Sequence, residues 1–457
     1  MSSQRVHWGS RLGFIMAAAG SAVGLGNLWK FPYVTWSNGG GTFVLVYLLA
    51  VILLGIPIMM AEILVGRRSQ KSPVPAFESL GSKRWTPIGW LGVAAAGVIL
   101  SYYSVIAGWS LRSFVQCMGW SIHGYQAPAA KAFGLFLANV PMQLGLTLLF
   151  SLATALVVYR GVSGGIERTT KLLMPVLFLI MIYLGITAAT MSGSGHAARM
   201  IFTPHMSRFH PRIVLEAVGQ SFFTLSLGLG AMITYGSYLD KKASVFRSAA
   251  SVVVLDTFVA LMACFSMFAI IFSVPGMKEK VGASTVGMLF VTLPGIFYQK
   301  MPGGLILAPL FYVLVAFAAL TSTISLGEVL VSSFIDYKHW SRRKATIVAS
   351  SLVFLGSILA ALSNGGMKAL STFAFFHDKH GVMATLDYLA ANWMLPLGGL
   401  GTTLFVGWRL DPLVLQRELG MKKATWLFHA WVWILRVVAP AAIAAILVAV
   451  AMGKDFS

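Results

Sequence analysis

Two clusters of glycine and three carboxylates, all inside long apolar runs, are the groups here that could do chemistry. Gly20, Gly24 and Gly26 lie in the middle of GFIMAAAGSAVGLGNLWKFP, and Gly228 and Gly230 in the middle of AVGQSFFTLSLGLGAMITYGSY. Glycine disfavours helix, so both runs read as helices interrupted at their centres. A backbone opened inside an apolar segment cannot face lipid; it must face a cavity and be satisfied there. Its freed carbonyls suit a cation, and the exposed N–H ends of the half-helices suit an anion. Of fourteen acidic residues, Glu62, Asp256 and Glu328 sit well within apolar runs, where charge is expensive and functional by default. Glu62 and Glu328 are expected to hold freed backbone amides. No nucleophile–base pair, HExxH sequence or zinc-type cysteine spacing occurs, and Cys117 and Cys264 both stand in apolar surroundings. The GxG spacing has no strand before it, so it is not a nucleotide fingerprint.

The elements that must position these groups are membrane-spanning helices. Hydrophobic residues make up 57% of the 457 and charged residues 11%, against about 25% charged in soluble domains. So few charges cannot cover a soluble surface, and disorder needs the opposite composition. The net charge is +20. Its Lys and Arg lie in short connectors between apolar runs, where they set orientation, so nucleic acid is not implied. Runs long enough to span fall at about 11–36, 41–66, 87–119, 141–159, 170–191, 213–238, 244–273, 303–335, 345–363, 387–408 and 427–452. The stretch 273–304, broken by Gly and Pro, reads as a loop with a short re-entrant or surface helix. Lys and Arg are in excess on the side of the N-terminus, which places that terminus in the cytoplasm; an odd number of spans then puts the C-terminus outside. No cleavable signal peptide is read at the N-terminus.

Spans one to five and six to ten are equal sets, each with the interruption in its first member. Paired interruptions at corresponding positions of two halves point to a binding site at mid-membrane in an inverted-repeat transporter. Sodium-coupled transporters with paired broken helices are the standard case of that rule. The expected fold is all-α: a polytopic membrane protein of about 11 transmembrane helices, in two inverted five-helix repeats with broken first and sixth helices. Its parts are a cytoplasmic segment 1–10, a first repeat 11–191, an extracellular loop 192–212, a second repeat 213–408, and a final part 409–457 holding a cytoplasmic connector, helix 11 and an external end.

The string from Gly20 to Asn27, followed by Leu28-Trp29-Lys30-Phe31-Pro32 and Asn38-Gly39-Gly40-Gly41, resembles the neurotransmitter:sodium symporters. So do Gly55-Ile56-Pro57 with Glu62, the run Gly219 to Ser226, and Leu320-Thr321-Ser322. The likeness runs through nearly the whole chain and is nearest to the bacterial amino-acid branch, whose relatives include eleven-helix members. It implies two sodium sites. The first would use Ala22, Asn27, Thr224 and Asp256 with the substrate's own carboxylate. The second would use carbonyls of Gly20, Val23 and Ala318 with the hydroxyls of Thr321 and Ser322; Ala318, Thr321 and Ser322 share one helical face by their i, i+3, i+4 spacing. All are oxygen ligands, as a hard cation requires.

The resemblance also implies a substrate pocket of Ala22, Gly24, Gly26, Ile99, Tyr103, Phe223, Thr224, Ser226, Leu229, Ser322 and Leu326. The substrate carboxylate would meet the amides of Gly24 and Gly26 and the Tyr103 hydroxyl, and its ammonium the carbonyls near Phe223, Thr224 and Ser226. Amine-carrying relatives place Asp where this chain has Gly24, which favours a substrate with its own carboxylate. The mostly apolar surround implies a neutral, hydrophobic α-amino acid, aromatic or aliphatic. Lys30 and Asp387 fit an outer charge gate, Tyr103 and Phe223 an aromatic lid, and Arg5 and Asp336 an inner pair, with Trp8, Ser237 and Tyr238 nearby. Chloride-dependent relatives hold a halide where this chain has Tyr47, Gln220 and Thr224 but also Ala260. Asp256 is expected to replace the halide's charge, making chloride unnecessary. The implied function is sodium-coupled import of an amino acid across a bacterial inner membrane by alternating access, with a lipid bilayer around the protein and the oligomeric state open. Two other readings stay open: a receptor or accessory subunit that binds an amino acid without moving it, and a symporter for an amino-acid-like osmolyte.

Overall fold

Apolar runs that must satisfy every backbone group internally fold as helix, and helix is what this chain forms. The structure, a computed structural model, describes residues 6–126, 128–274, 287–301, 303–376, 379–420 and 425–456; Arg5 of the expected inner gate lies outside them. Among the described residues there is no strand. Nine helices among the described residues are long and apolar enough to cross a membrane: Gly41–Ser69, Lys83–His123, Val140–Tyr159, Val162–Ala189, Val245–Ser273, Gly304–Lys338, Arg342–Leu362, Val382–Arg409 and Trp426–Ala451. A tenth span consists of Arg11–Ala22 and Gly26–Ser37, bent by 52° at the glycine-rich break. The sixth expected run does not form one continuous helix. It divides into Pro211–Thr224 and Ala231–Gly236, each too short to cross alone. The expected count of eleven requires taking those two pieces as one span.

Proline accounts for most of the irregular turns. Widened turns with i→i+5 bonding occupy Gly26–Lys30, Val51–Gly55, Met288–Thr292, Leu389–Met394 and Ile434–Val438. Each ends two residues before a proline: Pro32, Pro57, Pro294, Pro396 and Pro440. A helical proline offers no N–H and its ring clashes with the carbonyl four residues back; widening the turn moves that carbonyl away. The Phe31 amide accordingly reaches Gly26, and the Ile56 amide reaches Val51. One of these turns carries Asn27 and Lys30, so this local effect bears directly on the site.

The connectors hold more helix than the sequence suggested. Ser194–Phe202 lies within the expected loop 192–212, and Leu293–Lys300 is the short helix expected within 273–304. Lys83–His123 and Gly304–Lys338 make the most extensive helix pair in the molecule. Arg11–Ala22 and Ala231–Gly236, pieces of the two interrupted helices, pack on Gly304–Lys338, with Phe14, Ala17 to Val23, Leu225, Leu227 and Ala231 fully or almost fully buried. Exposed apolar side chains such as Leu149, Leu172, Leu179 and Val254 lie on the outer faces, as lipid contact requires.

Candidate functional site

The two breaks meet. Helix Arg11–Ala22 stops at Val23, whose backbone turns extended. Helix Pro211–Thr224 stops before a stretch in which Ser226, Gly228 and Gly230 all have positive φ. At Gly228 a side chain is impossible: an added Cβ would come within 2.1 Å of the Leu395 carbonyl oxygen. Ser226 reaches across, its Oγ donating to the Ser21 carbonyl at 2.9 Å. The Gly228 amide, freed from its helix, donates to Glu62 Oε1 at 2.7 Å, the role expected of that carboxylate. Glu328 departs from expectation. Among the described residues it binds no freed amide, but takes both terminal nitrogens of Arg342 at 2.8 and 2.9 Å and the Tyr238 hydroxyl at 2.7 Å.

A chamber of about 40 Å³ sits between the breaks. Every residue expected in the substrate pocket lines it: Ala22, Gly24, Gly26, Ile99, Tyr103, Phe223, Thr224, Ser226, Leu229, Ser322 and Leu326. Ser21, Ser325 and Leu395 line it too and were not foreseen. The serines are polar groups at helical spacing from named residues, Ser325 three after Ser322, and their hydroxyls bond each other at 2.8 Å. Leu395 belongs to a different span and carried no signal. A Cβ at Gly24 would stand 2.8 Å from both Ser322 Oγ and the Tyr103 hydroxyl oxygen, so the missing side chain keeps those groups close to bare backbone. The amides divide differently from expectation. Gly24 N–H donates to Asn27 Oδ1 at 3.1 Å, and the Tyr103 hydroxyl accepts from Leu25 N–H at 2.9 Å.

Oxygen-bearing groups gather at two places beside the chamber. At one, Asn27 Nδ2 donates to Asp256 Oδ1 at 2.7 Å, and Thr224 Oγ1 lies 3.1 Å from both carboxylate oxygens. Asp256 and Asn27 are completely buried, and among the described residues Asp256 forms no ion pair. A buried carboxylate without a cation is costly. At the other place, Ser322 Oγ lies 3.3 Å from the Gly20 carbonyl oxygen and 3.5 Å from that of Val23, while Thr321 Oγ1 lies 3.1 Å from that of Ala318. Carbonyls of the first helix and hydroxyls of Gly304–Lys338 thus converge, a donor set for a hard cation.

The two approaches to the chamber differ. On the side away from the N-terminal segment, which the expected orientation makes the outer side, a vestibule of about 450 Å³ is lined by Lys30, Tyr33, Tyr102, Trp109, His380 and Asp387 among others. Gly26, Tyr103 and Phe223 line both vestibule and chamber, so the two aromatic rings form the partition. Lys30 and Asp387 face the same vestibule without pairing: Lys30 Nζ donates to the Phe456 carbonyl at 2.8 Å, and Asp387 takes the Tyr102 hydroxyl at 2.8 Å. The inner side is packed. Trp8 Nε1 donates to the Tyr235 carbonyl at 3.0 Å, its backbone amide to the Tyr238 carbonyl at 3.1 Å, and its ring stands edge-on to both tyrosines. Ser237 Oγ donates to the Thr234 carbonyl, and Asp336 accepts the Ser72 amide at 2.7 Å. Glu167, which the sequence reading passed over, anchors the start of the first helix by taking the Gly9 amide and the Ser10 hydroxyl.

A membrane-embedded helical body with two helices broken around one buried chamber, packed on one side and parted from an open vestibule on the other by two aromatic rings, defines a secondary transporter. The chain belongs to the sodium:neurotransmitter symporter family, whose model matches residues 5–128 and 136–454. It is 38% identical to an uncharacterised sodium-dependent transporter of Bacillus subtilis, over 97% of both chains, and 31% identical to one of Haemophilus influenzae, over 96% of both. A mouse sodium- and chloride-dependent GABA transporter is 23% identical, over 93% of this chain and 78% of its own. The crystal structure of MhsT in complex with L-phenylalanine superposes with a TM-score of 0.88 at 39% identity, covering 97% of this chain and 99% of that one. Sodium-dependent membrane transport of a small molecule follows from this membership, and the class is not enzymatic.

Proposed function

We propose that this chain imports a neutral, hydrophobic or aromatic L-α-amino acid, coupled to sodium and working by alternating access. The observation that carries the reading is Asp256: a fully buried carboxylate at the break of the first helix, touched by Asn27 and Thr224 and by no basic side chain among the described residues. A cation beside it removes the cost of the buried charge. Asn27, Thr224, Asp256 and Ala22 would hold one sodium ion. Gly20, Val23, Ala318, Thr321 and Ser322 would hold the second. Asp256 already supplies the negative charge, so chloride is not required. Gly24 leaves room at bare backbone for the substrate's carboxylate, and the apolar Ile99, Phe223, Leu229 and Leu326 suit a hydrophobic side chain. The L-phenylalanine bound to MhsT supports an aromatic substrate.

Residues 11–191 and 213–408 act as the two repeats, with the N-terminus cytoplasmic and the opposite end outside a bacterial inner membrane. The outer vestibule then opens outward, and Trp8, Tyr235 and Tyr238 close the inner side. Two sodium ions falling through a tenfold gradient and about 100 mV release roughly 7 kcal/mol, enough for about a 10⁵-fold substrate gradient.

Uptake into proteoliposomes decides the matter. Labelled phenylalanine, leucine and tryptophan are offered with an inward sodium gradient, with equal sodium, and with none. Concentrative uptake of at least one, only with the gradient, is expected. Saturable binding without counterflow would make the protein a receptor, and uptake of a betaine in place of any α-amino acid would make it an osmolyte carrier.

A further inference from the structure

The residues after the last helix fold back beside the outer vestibule: Asp455 and Phe456 line an adjoining cavity of about 440 Å³ that shares Lys30, Tyr33 and Val34 with it. Phe456 N–H donates to Asn392 Oδ1 at 2.8 Å, and Asn392 Nδ2 donates to Asp455 Oδ1 at 2.9 Å. One fully buried side-chain amide therefore grips two successive residues. Asp455 is also ion-paired with Lys379. The Phe456 carbonyl accepts from Lys30 Nζ, which at the same time lies 4.3 Å from the centre of the Phe223 ring. A Cβ added at Gly219 would be 3.5 Å from the Phe456 Cβ, so this residue also rests on helix Pro211–Thr224. The short segment thus joins the outer half of the first helix, the outer half of the sixth run and the span Val382–Arg409. These are the elements that must move against one another for the vestibule to close.

We propose that Asp455 and Phe456 belong to the outer gate as a strap that holds Lys30 away from Asp387. The inference rests on the gate reading of those two residues. Lys30 is almost buried, and the charges acting on it are Asp387, Asp455, Lys379 and Glu216. With the strap fastened, the Phe456 carbonyl occupies the ammonium and the vestibule stands open. With the strap released, the ammonium turns to Asp387, because a charge-assisted bond to a carboxylate is stronger than one to a neutral carbonyl. Two hydrogen bonds and one ion pair are together large enough to shift a two-state equilibrium about tenfold.

The test reads accessibility rather than transport. Ala384 lines the vestibule, and both native cysteines are buried. Ala384→Cys is labelled with a membrane-impermeant thiol reagent in the full chain, without sodium or substrate. Asp455→Ala is expected to slow labelling about threefold or more, as is Phe456→Gly, which loses its anchorage on Gly219. In a Lys30→Met background Asp455→Ala is expected to change nothing, since no ammonium remains to be released. Unchanged or faster labelling in the Asp455→Ala protein overturns the strap, and so does an equal slowing in the Lys30→Met background. Because no ion or substrate is present, this result is independent of the symport reading, which stands or falls on uptake.

Discussion

Glu62 Oε1 accepts the Gly228 amide at 2.7 Å, so a carboxylate of the second span fixes the backbone of the sixth run where it leaves the helix. The two residues are constrained separately. Gly228 has φ +83° and no room for a Cβ beside the Leu395 carbonyl, while Glu62 is wholly buried. Removing the acceptor leaves a buried donor unsatisfied, at about 1–3 kcal/mol. Glu62→Ala should therefore melt several degrees below the parent. Glu62→Gln, which keeps an acceptor oxygen, should melt close to it. Equal melting of the alanine variant and the parent would show that the contact holds nothing.

Asp256→Asn keeps the shape of the side chain and deletes its charge. If that charge faces a sodium ion, the apparent sodium affinity of uptake should fall tenfold or more, about 1.4 kcal/mol, with a smaller effect on thermal stability. Titrating sodium at saturating substrate measures this. In the parent, replacing bath chloride by gluconate should leave uptake unchanged. A strong chloride requirement would contradict the role given to Asp256.

Gly24→Ala addresses the substrate. The added methyl would stand 2.8 Å from Ser322 Oγ and from the Tyr103 hydroxyl oxygen, where the carboxylate is proposed to lie. Binding of a labelled amino acid to purified protein should weaken at least tenfold, while the melting temperature moves by only a few degrees. Full-strength binding would place the carboxylate elsewhere.

The sequence makes the chamber legible because its signals are local. Glycine clusters at mid-span mark where the helix opens, and Ala318, Thr321 and Ser322 share one helical face by their spacing. The eleven pocket residues were implied by the family resemblance carried by those motifs, and they line a single chamber. The division of the sixth run was not legible at its true length, because Leu225 and Leu227 look helical in isolation; the positive φ of Ser226 depends on neighbours in other spans. Contacts that join distant segments left no pattern to read. Glu167 with Gly9, and Lys30 with Phe456, are separated by 158 and 426 positions. Glu328 was assigned to freed amides because its burial was visible, whereas its actual partner, Arg342, looked like one more basic residue of a connector.

The Glu328–Arg342 pair makes the last prediction. Glu328 is completely buried and receives a two-pronged contact from Arg342, which also donates to the Val158 carbonyl at 2.9 Å. The Tyr238 hydroxyl binds the same carboxylate, and the Tyr238 carbonyl accepts the Trp8 amide, so the pair supports the packed inner side. Lysine cannot reproduce the planar fork. Arg342→Ala strands the carboxylate, and removal of one partner of a buried pair costs about 3–5 kcal/mol. Arg342→Lys should recover only part of that. The double variant Glu328→Gln with Arg342→Met should melt higher than Arg342→Ala alone, because no uncompensated charge remains. If the double variant is instead the least stable of the set, the pair contributes more than mutual neutralisation, and its hydrogen bonds to Tyr238 and Val158 carry the difference.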